Sequence, residues 1–329
     1  RAWCFDMRDG FIVTRRVDAV YADGGARRVV RRAWPATVQG NCQLIKQTTK
    51  CPSEHALRRA WQLLCFSCST FPPSKLFEEW LFKALDDRRK SHLMMEAQAA
   101  GLAHRELTFM TERHIPGRVP ATDTILYHMA NPFAPSVFRN TLEHVMAMQA
   151  QSQPDIEVPY VLIFLTAAIT QLNGHKLEGI FRVAALDEKV NLLRSSVDTD
   201  RYEAPERNAH IPACLLKQWL RELDEPLVPH ALYDECVAAG DASDAAAALR
   251  LVSAERVSAL NARVLHFLLK YIQTFCAPDV QQATKMTTRN LAVVFAPCIM
   301  RSPNRDETAV MTNTENEANF LVMLLDARL

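Results

Sequence analysis

Apolar residues recur at the spacing of one helix face from about residue 38 onward. A first helix is predicted after Ser53, a suitable N-cap residue, and a second after the proline-containing break at 71–74. The first apolar stripe consists of Leu57, Trp61, Leu64, Cys65 and Cys68, and the second of Leu76, Phe77, Trp80, Leu81, Ala84 and Leu85. Since each stripe must pack against a neighbour, the pattern predicts a helical hairpin.

Prolines and glycines then cluster between about 115 and 136, where we place a domain boundary. Helical patterns resume beyond it, and we find no alternating strand among them. The fold class is therefore predicted to be all-α, with helical domains at 38–125 and 136–329. Residues 1–37 show no sustained period and form an unassigned leader. The later helical patterns cover roughly 138–150, 159–172, 187–196, 212–223, 257–276, 287–296 and 315–326.

Composition narrows the class of function. The chain has 329 residues, of which 49% are apolar and 23% charged, and its net charge of +1 gives no overall field that would attract nucleic acid. Nine cysteines without the spacing of a disulfide scaffold favour the reducing cytoplasm. The most apolar stretch, 161–172, is too short to span a bilayer, so we expect no transmembrane segment.

Most catalytic signatures are absent from the sequence. It contains no glycine-rich phosphate loop, no His-Glu-x-x-His and no Gly-x-Ser-x-Gly pattern. Cys65 and Cys68 have the spacing of a metal or redox pair, but both lie on an apolar helical stripe and no second ligand pair follows. We expect these thiols to be buried and structural, and we do not expect an enzyme that turns over substrate by itself.

Three separated motifs carry a family resemblance. They are KLEGIFRVA at 176–184, HIPACLLKQWLRELDEPL at 210–227 and MTTRNLAVVFAP at 286–297. In order and spacing they resemble RhoGAP domains, the GTPase activators of the Rho family, over about 136–329. The resemblance implies a partner of the Rho, Rac or Cdc42 type in its GTP form. It implies no cofactor in this chain, because Mg²⁺ and GTP belong to the partner.

The resemblance also implies roles for four residues. Arg182 would be an arginine finger, a guanidinium inserted into the active site of the GTPase to accelerate hydrolysis. Lys217 would meet the GTPase, and Arg221 would brace the finger loop through its backbone. Asn290, near the start of a helix that Thr287 caps, would lie near the interface. The alternatives are a solvated pair of helix cations and an amide bonded to neighbouring backbone.

The position of Arg182 agrees with this role. Gly179 permits a tight turn after the buried helix at 159–172, and the next helix is predicted to begin near Asp187. Arg182 therefore lies on a connection that can protrude. One departure follows, since Cys298 occupies a place where the family often has asparagine, and a thiol cannot donate the amide hydrogen bonds of asparagine. We expect Cys298 to alter affinity or the choice of GTPase.

The first domain resembles a second family. The segments CQLIKQTT at 42–49, WQLL at 61–64 and FPPS at 71–74 look like the second half of a MyTH4 domain, a helical tail module of certain myosins. The segment ATVQGN at 36–41 stands where that family usually has acidic residues, so the module would be truncated or divergent. This resemblance implies binding to the cytoskeleton, such as microtubules, or to cargo. The combined prediction is a cytoplasmic Rho GTPase activator, and its alternative is a non-catalytic GTPase-binding adaptor.

Overall fold

The computed structural model describes residues 2–8, 11–17, 36–49, 51, 53–71, 73–112, 136–199, 201–203, 207–303 and 307–327. The chain divides into two compact units, Arg1–Phe133 and Ala134–Leu329. Each unit has its own hydrophobic core. Both cores are built from helices, which agrees with the predicted all-α class.

The leader contains a hairpin that the sequence pattern did not predict. Its antiparallel strands are β1 (Ala2–Arg8) and β2 (Phe11–Val17). The register pairs Ala2 with Val17 and Arg8 with Phe11. Asp-Gly separates the two runs in the sequence, and this dipeptide favours tight hairpin turns, so a signal was present. The hairpin precedes both helical domains and leaves their all-α assignment unchanged.

The helices of the first unit are α1 (Ala36–Thr48), α2 (Glu54–Thr70), α3 (Lys75–Arg89) and α4 (Met94–Glu112). Ser53 caps α2 as predicted, because its hydroxyl accepts a hydrogen bond of 3.3 Å from the Ala56 N–H. The α2 stripe is buried around Trp61 and Leu64. The sequence analysis missed α4, which contributes small buried residues such as Ala99 and Ala103.

The second unit contains ten helices among its described residues. They are α5 (Leu142–Gln149), α6 (Tyr160–Gln171), α7 (Asp187–Asp198), α8 (His210–Glu222), α9 (Tyr233–Ala242), α10 (Ala245–Leu251), α11 (Ala259–Gln273), α12 (Pro278–Thr284), α13 (Thr288–Ile299) and α14 (Glu307–Asp326). Each of the seven predicted helical patterns overlaps one of them. The pattern did not resolve α9, α10 and α12, of which α10 and α12 have only seven residues each.

Helix α8 lies at the centre of the second unit and contacts α6, α7 and α13. Its apolar face, predicted from the sequence, is fully buried at Leu215, Leu216, Trp219 and Leu220. A helix enclosed in this way can hold the side chains of its opposite face in fixed positions. Any site built on that face is therefore supported by the core.

A non-helical segment at 136–140, directly before α5, also belongs to the core of the second unit. Val137 and Phe138 are buried. The indole N–H of Trp219 on α8 donates to the Val137 carbonyl at 2.9 Å. The Val137 N–H donates in turn to the Asp198 carboxylate at 3.2 Å. The segment is thus hydrogen-bonded to α7 and α8 before the first helix of the unit begins.

Two kinds of feature are missing from the part of the chain that the structure describes. None of its helices is both long and apolar enough to cross a membrane. No three His, Cys, Asp or Glu side chains in it come together as a metal site. Cys65 and Cys68 are buried on α2, and burial raises the pKa of both thiols, which keeps them protonated.

Candidate functional site

Residues 179–185, called here the Arg182 loop, lie between a short 3-10 helix (Gly174–Lys176) and α7. The N–H groups of Arg182 and Val183 both donate to the Gly179 carbonyl, at 2.9 and 2.8 Å, which closes a tight turn. Gly179 has φ +70°, and a Cβ there would lie 2.7 Å from Cγ2 of Val183. The predicted need for glycine at this position is confirmed.

Hydrogen bonds hold the backbone of the Arg182 loop to the surrounding helices at its start, middle and end. The Gly179 N–H donates to the carbonyl of Thr284, the last residue of α12, at 2.7 Å. The ammonium of Lys217 on α8 donates to the Phe181 carbonyl. The Ala185 N–H donates to the Cys214 sulfur, also on α8, at 3.3 Å. The start, the middle and the end of the loop are therefore each anchored.

The side chain of Phe181 provides a fourth anchor. It is fully buried, and its ring packs edge-on against Phe275 and Phe295 with centroids 5.0 and 4.9 Å apart. The Phe181 backbone has φ +67°, a left-handed conformation that costs a non-glycine residue roughly 1–3 kcal/mol. Burial of the ring between two aromatic side chains offsets this cost, and the ring fixes the backbone on which the next residue projects.

Arg182 itself projects from this fixed backbone into solvent. Its side chain is exposed, and it forms no hydrogen bond or ion pair with any residue that the structure describes. Val183 and Leu186 beside it are 44% and 73% exposed. Among the described residues, the loop thus displays an unpaired guanidinium next to two exposed apolar side chains.

Lys217 and Arg221 occupy different environments although they are four residues apart on α8. Lys217 is half-buried beneath the Arg182 loop, whereas Arg221 is exposed and its Nη1 donates to the Cys298 sulfur at 3.7 Å. Lys217 reaches the loop backbone because it lies three residues from Cys214, where the loop crosses the helix. The resemblance implied this kind of contact for Arg221, and that role stays a prediction.

The chemistry of Lys217 fits a bracing position. Burial lowers the pKa of its ammonium group, and the neighbouring charge of Arg221 lowers it further. One of the three donors on this flexible stem can still satisfy the Phe181 carbonyl in this half-buried place.

Cys298 lies on the core side of the site. The residue is fully buried in α13, and its thiol donates to the Val294 carbonyl at 3.4 Å while the sulfur accepts from Arg221. Burial raises the pKa of the thiol, although Arg221 opposes that shift. Cys298 therefore contacts Arg221 from beneath, and a buried thiol there offers no hydrogen-bond donor to a partner protein.

Asn290 lies in the first turn of α13. Its backbone N–H donates to the Thr287 hydroxyl at 3.1 Å, which confirms Thr287 as the N-cap. The Asn290 side-chain amide forms no hydrogen bond within the described parts of the chain. The alternative of an amide tied to neighbouring backbone is thus not what the structure shows, and the amide is available to a partner.

The last residue of α8, Glu222, belongs to a buried ion network. The Glu222 carboxylate accepts two hydrogen bonds from the Arg194 guanidinium, at 2.8 and 2.7 Å, and forms an ion pair with Arg139 at 3.6 Å. Burial raises the pKa of Glu222, but the two arginines outweigh this effect and lower it to about 2. The network fixes the C-terminal end of α8, about two turns beyond Cys214.

Sequence reasoning missed two of the residues that hold the loop. Cys214 lies within the 210–227 motif, three residues before Lys217, so helical spacing alone could have placed it beside the same loop. Thr284 acts through its carbonyl, and no side-chain pattern in the sequence signals a main-chain contact. The buried aromatic pair around Phe181 could not be found either, because its members lie far along the chain, Phe275 just after α11 and Phe295 in α13.

Comparison with known proteins identifies both units. Residues 159–304 match the RhoGAP domain, and residues 41–118 match the MyTH4 domain. These two matches cover the motifs and the Arg182 loop described above.

Curated relatives carry similar sequences within much longer proteins. The chain is 35% identical over 196 residues to GTPase activating protein homolog 2 of Dictyostelium discoideum, covering 59% of this chain and 22% of that protein. It is 31% identical over 159 residues to unconventional myosin-IXa of Rattus norvegicus, covering 46% of this chain and 6% of that protein. The chain therefore spans less than a quarter of the length of either relative.

A solved structure shares the fold. The crystal structure of human Rho GTPase activating protein 15 superposes with a TM-score of 0.51 at 20% sequence identity, covering 63% of this chain and 96% of that one. At this identity the likeness concerns the fold alone. The motifs, the anchored loop and both domain matches lead to one assignment: the chain contains a RhoGAP domain preceded by a MyTH4 domain.

Proposed function

We propose that the RhoGAP domain accelerates GTP hydrolysis by a Rho-family small GTPase, and that Arg182 supplies the catalytic positive charge in trans. The observation that carries the proposal is the free, exposed guanidinium of Arg182 on a loop whose backbone is fixed on three sides. The similarity to GTPase activating protein homologs of Dictyostelium supports the class of activity.

The chemistry of the reaction explains why an arginine is needed. Hydrolysis of GTP moves negative charge onto the phosphoryl oxygens and the leaving oxygen. A guanidinium is always charged and donates in a planar fork that suits those oxygens. An arginine finger accelerates hydrolysis by roughly 10³–10⁵, about 7 kcal/mol of barrier at the upper end. Mg²⁺ and GTP belong to the partner, so this chain provides charge and position.

The anchoring of the loop supports the same role. A side chain on a mobile loop would lose conformational freedom on binding, and this loss would oppose the gain from its charge. Here Gly179, Phe181 and Ala185 are already held by hydrogen bonds before a partner arrives. Only the side-chain torsions of Arg182 remain to be ordered, which favours a pre-positioned catalytic group.

Of the other three site residues, we assign one to support of the loop and two to contact with the GTPase. Lys217 braces the loop through the Phe181 carbonyl and is a positioning residue in this proposal. Arg221 is exposed, and the Asn290 amide is unoccupied by described residues, so we assign both to contact with the GTPase. Their loss should weaken binding of the partner more than it slows the chemical step.

Single-turnover hydrolysis on a panel of Rho, Rac and Cdc42 type GTPases tests the proposal. The wild-type chain should accelerate at least one of them, and Arg182→Ala should lose at least about 10³-fold of that acceleration. Arg250→Ala is the matched control, because Arg250 is also exposed but lies on α10, away from the loop. Equal activity of wild type and Arg182→Ala would refute the role of Arg182.

The same assay distinguishes the alternative function. Binding of a GTP-loaded partner without faster hydrolysis would mean that the chain is a non-catalytic adaptor. The buried Cys298 supports this alternative, because a thiol lacks the amide donor of the asparagine that the family often has there.

The MyTH4 domain supports a second, separate part of the proposal, a link to the cytoskeleton or to cargo. The basis is the domain match over residues 41–118. Co-sedimentation of the full chain with microtubules, compared with actin filaments, tests this link. Recovery of the chain in neither pellet would leave cargo as the remaining ligand class.

A further inference from the structure

Arg301 closes the C-terminal end of α8 from a different part of the chain. It lies two residues after the end of α13. Its Nη1 donates to the Arg221 carbonyl at 2.6 Å. Its Nη2 donates to the carbonyls of Leu223 and Asp224 at 2.8 and 3.1 Å. One guanidinium thus binds three main-chain carbonyls at the end of the helix that carries Lys217 and Cys214.

The physical chemistry of a helix end explains why this contact is strong. The last four carbonyls of an α-helix have no partner within the helix, and they carry the negative end of the helix dipole. A guanidinium brings a positive charge and several donors in a fixed plane, so it can bind more than one of these carbonyls at once. A lysine at this position would keep the charge but lose the planar arrangement of donors.

Arg301 is itself held in place by the core. Nδ1 of His230 donates to the Arg301 carbonyl at 3.0 Å. Two residues earlier, the Ile299 carbonyl accepts from the Val228 N–H at 3.0 Å. Met300 between them is buried. The guanidinium therefore projects from a fixed backbone and connects α13 to the end of α8.

We propose that Arg301 is a positioning residue for the Arg182 loop, acting through α8; this inference rests on the proposed function. The bracing Lys217 lies four residues before the first carbonyl that Arg301 binds, about 6 Å along the helix axis. Cys214, the other α8 anchor, lies one turn further. Since a helix moves as a rigid rod over two turns, a shift of its end displaces both anchors and with them the loop.

A small displacement is sufficient for a large effect on rate. Misplacement of a catalytic group by about 1 Å can cost about 10²-fold in the chemical step. Affinity should change less, because the guanidinium of Arg301 is engaged with the end of α8 instead of being presented to a partner. The signature of a positioning role is therefore a lower rate at saturation with a nearly unchanged KM for the GTPase.

The experiment compares Arg301→Ala, Arg301→Lys and Arg301→Gln with wild type in the full chain. We expect Arg301→Ala to lower the saturated rate of stimulated hydrolysis by about 10–100-fold, with Arg301→Lys in between. Arg256→Ala is the control, since Arg256 pairs at the surface with Glu235 and should leave the rate unchanged. If Arg301→Ala fails to fold, the lysine and glutamine variants provide the comparison.

Hydrogen exchange of the loop amides provides a second readout that needs no GTPase. The N–H groups of Gly179 and Ala185 should exchange faster in the Arg301 variants than in wild type or Arg256→Ala. Unchanged exchange, or a rise in KM alone, would overturn the inference. If wild type accelerates no GTPase, the proposed function fails, while the exchange comparison still decides whether Arg301 holds the loop.

Discussion

Arg182 and Arg194 lie in the same unit but meet opposite surroundings. Arg194 donates two hydrogen bonds to the buried Glu222 carboxylate, and its guanidinium lies 4.2 Å above the centroid of the Phe138 ring. Arg182 is exposed and has no such partner among the described residues. Both arginines carry the same charge, yet the fold satisfies one of them and leaves the other without a partner among the described residues.

The two regions lie at different levels along α8. In its middle turns, Lys217 and Cys214 hold the backbone of the Arg182 loop. At its last residue, the Glu222 carboxylate is saturated by Gln218 and Arg194. The comparison teaches that Arg194 contributes to the stability of the unit and Arg182 does not, so Arg182 can be removed with little effect on stability.

The largest effect on stability is expected from the buried Glu222 network. Arg194→Ala leaves the Glu222 charge with incomplete compensation and should lower the free energy of unfolding of the second unit by about 3–5 kcal/mol. Arg182→Ala should change it by less than about 0.5 kcal/mol. Hydrogen exchange of the α8 amides in both variants measures this difference for the second unit alone. Equal losses in the two variants would contradict this expectation.

Acid should weaken the same network. The pKa of Glu222 is about 2 in the folded chain and is ordinarily 4.5, so its contribution is fully present above pH 4.5. It is lost as the pH falls towards 2, by about 3 kcal/mol at most. Glu222→Gln should therefore be less stable than wild type at pH 7, and the gap should narrow on acidification. Glu255→Gln, at an exposed position, should show no such gap in the same urea unfolding series.

Within the Arg182 loop, Gly179→Ala should disturb the loop conformation more than the fold of the unit. An alanine at φ +70° is strained by roughly 1–3 kcal/mol, and its Cβ would collide with Val183. We expect the rate of stimulated GTP hydrolysis to fall by a larger factor than the equilibrium constant for folding. Gly101→Ala is the control, because a Cβ there meets nothing within 4 Å and Gly101 lies inside α4. Normal activation by Gly179→Ala would show that the turn tolerates a side chain.

The smallest effect is expected at Asp198, which accepts a hydrogen bond of 2.8 Å from Ser136. Burial raises the pKa of its carboxyl to about 6, against the lowering effect of Arg194. Its charged form therefore costs stability above pH 6, and this cost disappears as the pH falls towards 4. Asp198→Asn should stabilise the second unit slightly at pH 8 and leave it unchanged at pH 4.5. Asp155→Asn, an exposed counterpart, should be neutral at both values.

Much of the fold was accessible from the sequence because its helices are amphipathic and bounded by prolines, glycines and caps. The buried stripe of α8 and the N-caps Ser53 and Thr287 were predicted correctly. Short helices such as α10 and α12 were not, since seven residues hold too few turns to establish a period. The leader hairpin was also missed, although Asp-Gly between apolar runs was present.

The site was less accessible than the fold. Local sequence placed Arg182 on a glycine-containing loop, and the structure agrees with that geometry. Helical spacing placed Lys217 and Arg221 on one face but could not decide which of them contacts the loop, because that depends on where the loop crosses α8. The clamp formed by Arg301 depends on a contact between segments 77 residues or more apart, which no local pattern encodes.

The segment at 136–140 has a practical consequence for anyone who excises the second unit. The family match begins at residue 159, yet Phe138 supports the Arg194 guanidinium and Val137 receives the indole hydrogen bond of Trp219. A fragment trimmed to the edges of the match would lack Val137 and Phe138 and would leave a cavity beside α8. An expressed fragment should therefore begin before residue 136, where the chain first contributes to the core of the second unit.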